Sequence, residues 1–164
     1  MDDITIGRTD NRVVKCCENQ ATLLVCAGVE GAGKTSICGV LREFYSHIFE
    51  TTLTPQEMKQ ISQARQEGYY IRLLYLGLDT LEDHLLRIQN RVHKGGDSAD
   101  PEEVERQFQT RFDSLKDVLA LCHEAVFMDN TNGFCKVATF HCGELMIAEN
   151  DWRCSWLQDW MSYG

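Results

Sequence analysis

Gly28-Val29-Glu30-Gly31-Ala32-Gly33-Lys34-Thr35 matches G-x-x-x-x-G-K-[ST] at every defined position. Glycines at this spacing let the backbone wrap an anion with successive N–H groups turned inward, and a helix starting at Lys34 adds a favourable dipole. Lys34 would bridge the β- and γ-phosphates of a nucleotide, and the Thr35 hydroxyl would hold Mg²⁺. Gly28, Gly31, Ala32, Gly33 and Ser36 complete the expected cradle. A glycine-rich turn that binds nothing is the competing reading, disfavoured by the apolar run before it and the helical pattern after it. Glu30 brings negative charge to an anion site, which an outward-facing position would tolerate. The chain has no N-K-x-D segment of the kind that selects guanine, so ATP is the expected nucleotide.

Arginines would have to neutralise charge on a transferring phosphoryl group. Arg87 and Arg91 are four residues apart, on one helical face just before Gly95-Gly96, and would belong to a lid; Arg106 and Arg111 would approach from the other side of the same loop. A solvated helix face is the plainer account of the first pair. Asp79 and Asp129 each end an apolar run, as a Mg²⁺-supporting aspartate does, although Asp79 reads more readily as a helix N-cap. Cys122-His123 and His141-Cys142 lack the spacing of a zinc site, and buried thiols with ordinary histidines explain them better.

The elements that must position these residues follow from periodicity. Ala21 to Ala27 is a continuous apolar run of strand length, suited to burial on both faces. Ile37, Val40, Leu41, Phe44 and Tyr45 predict a helix over 34–46. Thr54-Pro55-Gln56-Glu57 is a capping box with proline in the first helical position, opening a helix over 55–67 that Gly68 ends. Residues 69–78 read as a second buried strand. Asp79 is expected to cap the next helix, with Glu82 completing a box and Leu81, Leu85, Ile88 and Val92 as its apolar stripe. A long helix opens at Asp100-Pro101, a strand follows at 125–128, a hairpin at 136–148 turns through 141–144, and a short helix over 152–161 closes the chain. Strands alternating with helices predict an α/β fold of the P-loop NTPase type: a mainly parallel sheet with helices on both faces and a C-terminal β-hairpin and helix. A polar segment, 1–20, is expected to precede one such domain, 21–164.

Composition narrows the function classes. Sixteen basic and 25 acidic residues leave a net charge of -9 over 164 residues, which argues against a nucleic-acid binder. Eight cysteines without a C-x-x-C read as reduced thiols. No apolar stretch approaches the roughly 18–20 residues of a membrane span, and the Met-Asp-Asp start is no leader, so a cytoplasmic location is expected.

The order of motifs resembles the zeta-toxin-like P-loop kinases, a family related to toxins that phosphorylate UDP-N-acetylglucosamine. Phe49-Glu50-Thr51-Thr52-Leu53 is similar to the family's F-x-E-T-T-L element, and Glu67-Gly68-Tyr69-Tyr70 with Leu76 to its G-Y-x-V strand. The run Arg87-Ile88-Gln89-Asn90-Arg91-Val92-His93-Lys94-Gly95-Gly96 is similar to R-V-x-x-R-V-x-x-G-G-H, and Asp129-Asn130-Thr131 to D-N-S. The resemblance spans about residues 22–132. It implies ATP on residues 28–36, γ-phosphate contacts from Arg87 and Arg91, and a nucleotide sugar or similar hydroxyl substrate near Glu50, Thr51 and Thr52. Two departures stand out. Ser46-His47-Ile48 joins the first helix to the E-T-T-L element where the family has a segment carrying the substrate-deprotonating aspartate, and Asp97 stands where the family has His. Glu50 is the candidate substitute base, although an ordinary carboxylate is a weak one. Three readings follow: a small-molecule kinase using Lys34, Arg87, Arg91 and Glu50; an ATP-binding module without chemistry; and a toxin neutralised by an antitoxin bound at segment 1–20 or at Trp152, Trp156 and Trp160.

Overall fold

In the computed structural model, residues 20–150 and 154–163 are described; the segment 1–19 and Trp152 lie outside them. The elements are β1 (Thr22–Ala27), α1 (Lys34–Leu41), β2 (Ile48–Thr51), α2 (Pro55–Gln66), β3 (Tyr70–Gly77), α3 (Leu81–His93), α4 (Pro101–Leu121), β4 (Glu124–Asp129), β5 (Cys135–His141), β6 (Glu144–Ala148) and α5 (Ser155–Ser162). They form one six-stranded sheet in the order β2-β1-β3-β4-β5-β6. The first four strands in that order run parallel, and β5 and β6 add an antiparallel hairpin. The chain therefore has an α/β fold of the P-loop type.

Side-chain alternation divides the core between the two faces of the sheet. Val25, Ala27, Leu73, Tyr75 and Phe127 pack on the side of α2, α4 and α5, with Ile61, Leu115, Val118 and Trp156. Leu24, Cys26, Leu74, Leu76 and Met128 face the other way, onto Ile37, Cys38 and Leu41 of α1. Both faces of the parallel strands are covered, which explains why their sequences are nearly continuous apolar runs. Among the described residues no helix is long and apolar enough to cross a membrane.

Two expectations are corrected. Helix α1 ends at Leu41, not near Ser46: Phe44 N and Tyr45 N both donate to the Leu41 carbonyl, and the chain turns. Of the residues that suggested a longer helix, Val40 is 57% exposed and Phe44 74%. Pairing decides this, because β2 must begin at Ile48 to lie beside Leu24 of β1, leaving little chain for further helix. Asp79 does not cap α3. Thr80 does, its hydroxyl accepting from Asp83 N at 3.1 Å, and Glu82 takes no part in a capping box. Asp79 serves a different helix: its Oδ1 accepts from Ser155 N, Ser155 Oγ and Trp156 N, so it caps α5 from across the chain. The capping box that Thr54 and Glu57 make together and the Asp100 cap form as expected.

Candidate active site

The site is built where β1 ends. Gly28 has no room for a side chain, since a Cβ would lie 2.6 Å from the Leu76 carbonyl oxygen of β3. Gly33, with φ of +105°, is the left-handed residue that opens α1, and a Cβ there would meet Asn130 Nδ2 at 2.6 Å. No side chain caps α1, so its first N–H groups are left to a ligand or solvent. Ala32 is buried, while Thr35 and Ser36 are exposed at the helix start.

Lys34 is 8% exposed and bends back over the loop, donating from Nζ to the Gly28 carbonyl at 2.7 Å and the Val29 carbonyl at 3.2 Å. Burial lowers its pKa, with the nearby Glu30 carboxylate opposing that shift. Glu30 does not simply face outward. Its carboxylate lies 3.7 Å from Lys34 Nζ and 3.7 Å from Arg91 Nη2, pairing with two of the cations expected to serve phosphate.

Thr35 and Glu50 meet because β2 lies next to β1. The Thr35 hydroxyl donates to Glu50 Oε2 at 3.1 Å, and Arg42 Nη2 lies 3.9 Å from Glu50 Oε1. A hydroxyl beside a carboxylate, at the start of the helix behind the phosphate loop, is an oxygen-donor set suited to Mg²⁺. Thr51 is turned inward: it is buried, and its hydroxyl accepts from Leu53 N at 2.8 Å, holding the turn into α2. Thr52 is half-buried.

Helix α3 brings its arginines to the flank of the loop. Arg87 Nη2 donates to the carbonyls of Asn130 and Thr131, the latter at 3.2 Å. Arg91 Nε donates to the Asp97 carbonyl at 2.8 Å while its Nη2 reaches Glu30. The two lie on one side of the cradle. Arg106 pairs with Glu103 on the surface, and Arg111 lies over the rings of Phe108 and Phe112.

Three more residues support the loop, and of these only Asn130 lay in a stretch marked by the resemblance. His84 is 1% exposed, and its Nδ1–H donates to the Glu30 carbonyl at 2.9 Å. Its pKa falls to about 4, through burial first and then the neighbouring cations, so the ring is neutral at pH 7. The signal was its place four residues before Ile88 on the buried face of α3. Gln107 Oε1 accepts from Glu30 N at 3.1 Å, and Asn130 Nδ2 donates to the Ala32 carbonyl at 2.9 Å. No local pattern marks Gln107, and the D-N-S match at Asn130 did not reveal its bond to Ala32, because both residues act across long sequence separations.

Asp79, Asp129 and Cys154 bring one potential ligand atom each within 4.8 Å of one another. Their oxygens serve other ends: Asp79 caps α5, and Asp129 Oδ1 accepts from Trp156 Nε1 and Thr131 Oγ1, both at 2.9 Å. Among the described residues, Cys122, His123, His141 and Cys142 form no metal-binding group.

No sequence-family description and no curated protein matches this chain. By structure it is similar to solved forms of the AvrRxo1-ORF1:AvrRxo1-ORF2 complex. The form with sulphate ions superposes with a TM-score of 0.61 at 13% identity, over 82% of this chain and 62% of the other. The form with ATP gives a TM-score of 0.62 at 15% identity, over 85% and 63%. The native complex gives 0.61 at 15%, over 83% and 63%. This chain thus spans a little under two thirds of the length of the chains it resembles, and at such identity the likeness establishes a shared fold.

Proposed function

We propose that this chain is an ATP-dependent phosphotransferase acting on a small hydroxyl acceptor, a shortened relative of the zeta-toxin-like kinases. The observation that carries the proposal is the meeting of Thr35 and Glu50 at 3.1 Å beside a buried Lys34, at the start of an uncapped α1. Binding of ATP is supported by the structural likeness to a complex that holds ATP.

The loop amides and Lys34 would hold the β- and γ-phosphates, Lys34 leaving its carbonyl partners to do so. Thr35 and Glu50 would hold Mg²⁺, which supplies charge neutralisation on the phosphate oxygens. Arg87 and Arg91, at the flank, would neutralise charge on the group in transfer once Arg91 exchanges Glu30 for phosphate. Glu50, engaged with Thr35, fits the metal side of the site better than the role of acceptor base. Positioning and charge neutralisation then carry the reaction, which predicts slow turnover.

That same engagement favours a second reading, an ATP-binding module without transfer. Incubation with Mg²⁺, γ-labelled ATP and a panel of nucleotide sugars separates the two. Transfer that Lys34→Ala reduces by about a hundredfold or more supports the kinase; ATP binding with no labelled product supports the module. A partner protein, the antitoxin of the third reading, is supported by the structural neighbours being complexes of two proteins.

A further inference from the structure

We infer that Phe134 is the surface on which the nucleobase of the bound nucleotide rests, an inference that depends on the phosphate-loop reading above. Among the described residues, Tyr75, Phe127 and Trp156 are each no more than 2% exposed, whereas Phe44, Phe134 and Tyr163 lie open to solvent. Phe134 is 39% exposed, and its place is specific. The ring edge lies against Gly33, with Cζ and Cε1 3.5 and 3.6 Å from where a Cβ on that glycine would be. Gly33 immediately precedes Lys34 and opens α1, so a flat apolar surface stands at the lip of the phosphate cradle. A nucleotide anchored there by its phosphates carries its base a ribose away, within reach of the lip.

The loop that presents the ring is pinned on three sides. Asn130 Nδ2 donates to the Ala32 carbonyl at 2.9 Å, tying the loop to the cradle. Arg87 holds the carbonyls of Asn130 and Thr131. Thr131 donates to the Asp129 carboxylate from both its hydroxyl and its N–H, and accepts from Asp79 N at 3.3 Å. These bonds fix the backbone three residues before the ring, which limits the conformational entropy lost when a base stacks on it. Phe44 is also strongly exposed but lies past the far end of α1, about 12 Å along an eight-residue helix. A ring face recognises the π-face that every nucleobase carries and not its hydrogen-bonding edge, so nucleotides as a class, ATP among them, are the ligands it accepts.

Calorimetric titration of the purified full chain with ATP·Mg²⁺ and, separately, with inorganic tripolyphosphate·Mg²⁺ tests this. Wild type, Phe134→Ala and Phe134→Trp would be compared. Phe134→Ala is expected to weaken ATP binding about tenfold or more, the usual range for one lost base–aromatic stack, and to leave tripolyphosphate binding unchanged. Phe134→Trp is expected to keep ATP affinity, with indole fluorescence quenched further by ATP than by tripolyphosphate. If Phe134→Ala binds ATP as wild type does, or loses both ligands equally, the ring is not the base platform. If wild type binds neither ligand, the phosphate-loop reading itself fails and the inference falls with it.

Discussion

At the scale of single residues, Glu30 is the most consequential feature of the site. Its carboxylate pairs with Lys34 and Arg91, so a polyphosphate must displace it to reach either cation. The Arg91 pair, partly exposed on both sides, is worth less than about 1 kcal/mol, and the Lys34 pair joins a buried ammonium to a half-exposed carboxylate. Glu30→Gln should therefore tighten ATP binding about three- to tenfold in a calorimetric titration; weaker binding would mean that Glu30 orders the cations instead of competing for them. His84 leads to a pH prediction. Its folded pKa of about 4 lies below the ordinary value of 6.5, so it contributes stability that is present above pH 6.5 and is lost as pH falls toward 4, where the unfolded chain takes the proton first. The Tm of His84→Gln, which keeps a donor for the Glu30 carbonyl but does not titrate, should fall less than that of wild type between pH 6.5 and 4. Parallel curves for the two proteins would remove His84 from the acid response. The motif itself was readable from spacing alone. The contacts of Glu30 were not, because Arg91 lies 61 positions away and reaches it only after α3 has packed beside the loop.

At the scale of elements, α5 shows how a short helix is secured from outside. Its N-cap Cys154 contributes no side-chain hydrogen bond, and Asp79 fills that role from the end of β3. Asp79→Ala should cost about 1 kcal/mol, as other lost caps do, seen as a drop of a few degrees in Tm. Trp156 anchors the same helix, its ring against Tyr75 and Phe127 and its Nε1 donating to Asp129. Gly77 gives it room: a Cβ there would lie 2.3 Å from Trp156 Cε2. Trp156→Ala should destabilise by about 3–5 kcal/mol, measured by urea unfolding, and Gly77→Ala should also destabilise by displacing the indole. A Gly77→Ala protein as stable as wild type would show that α5 shifts freely on the sheet. The tryptophan spacing suggested one helical face, and Trp156 and Trp160 do turn toward the core. Helix caps were legible where the cap and its helix are adjacent, as at Thr54 and Asp100. They were misread at Asp79, where a local pattern matched but the chain brought another helix to the same carboxylate.

For the molecule as a whole, the six described cysteines are free thiols, four of them buried, and packing holds the described fold without a covalent link. Tm should be the same with and without reductant; a marked fall on reduction would reveal a disulfide outside the described residues. The apolar runs, the glycine-rich turn and the capping boxes determined by themselves that strands and helices alternate and that α1 starts at Lys34, because these signals lie within one or two turns of chain. Parallel pairing with helices on both faces also followed, since strands separated by helices return in the same direction. Tertiary structure alone decided where α1 stops, because the pairing of β2 with β1 overrides the helical pattern through Phe44 and Tyr45. It alone set Glu50 against Thr35, turned Thr51 inward and tied Asn130 to Ala32. Each of these depends on strand neighbours or on loops far apart in sequence, whose adjacency is a property of the assembled sheet.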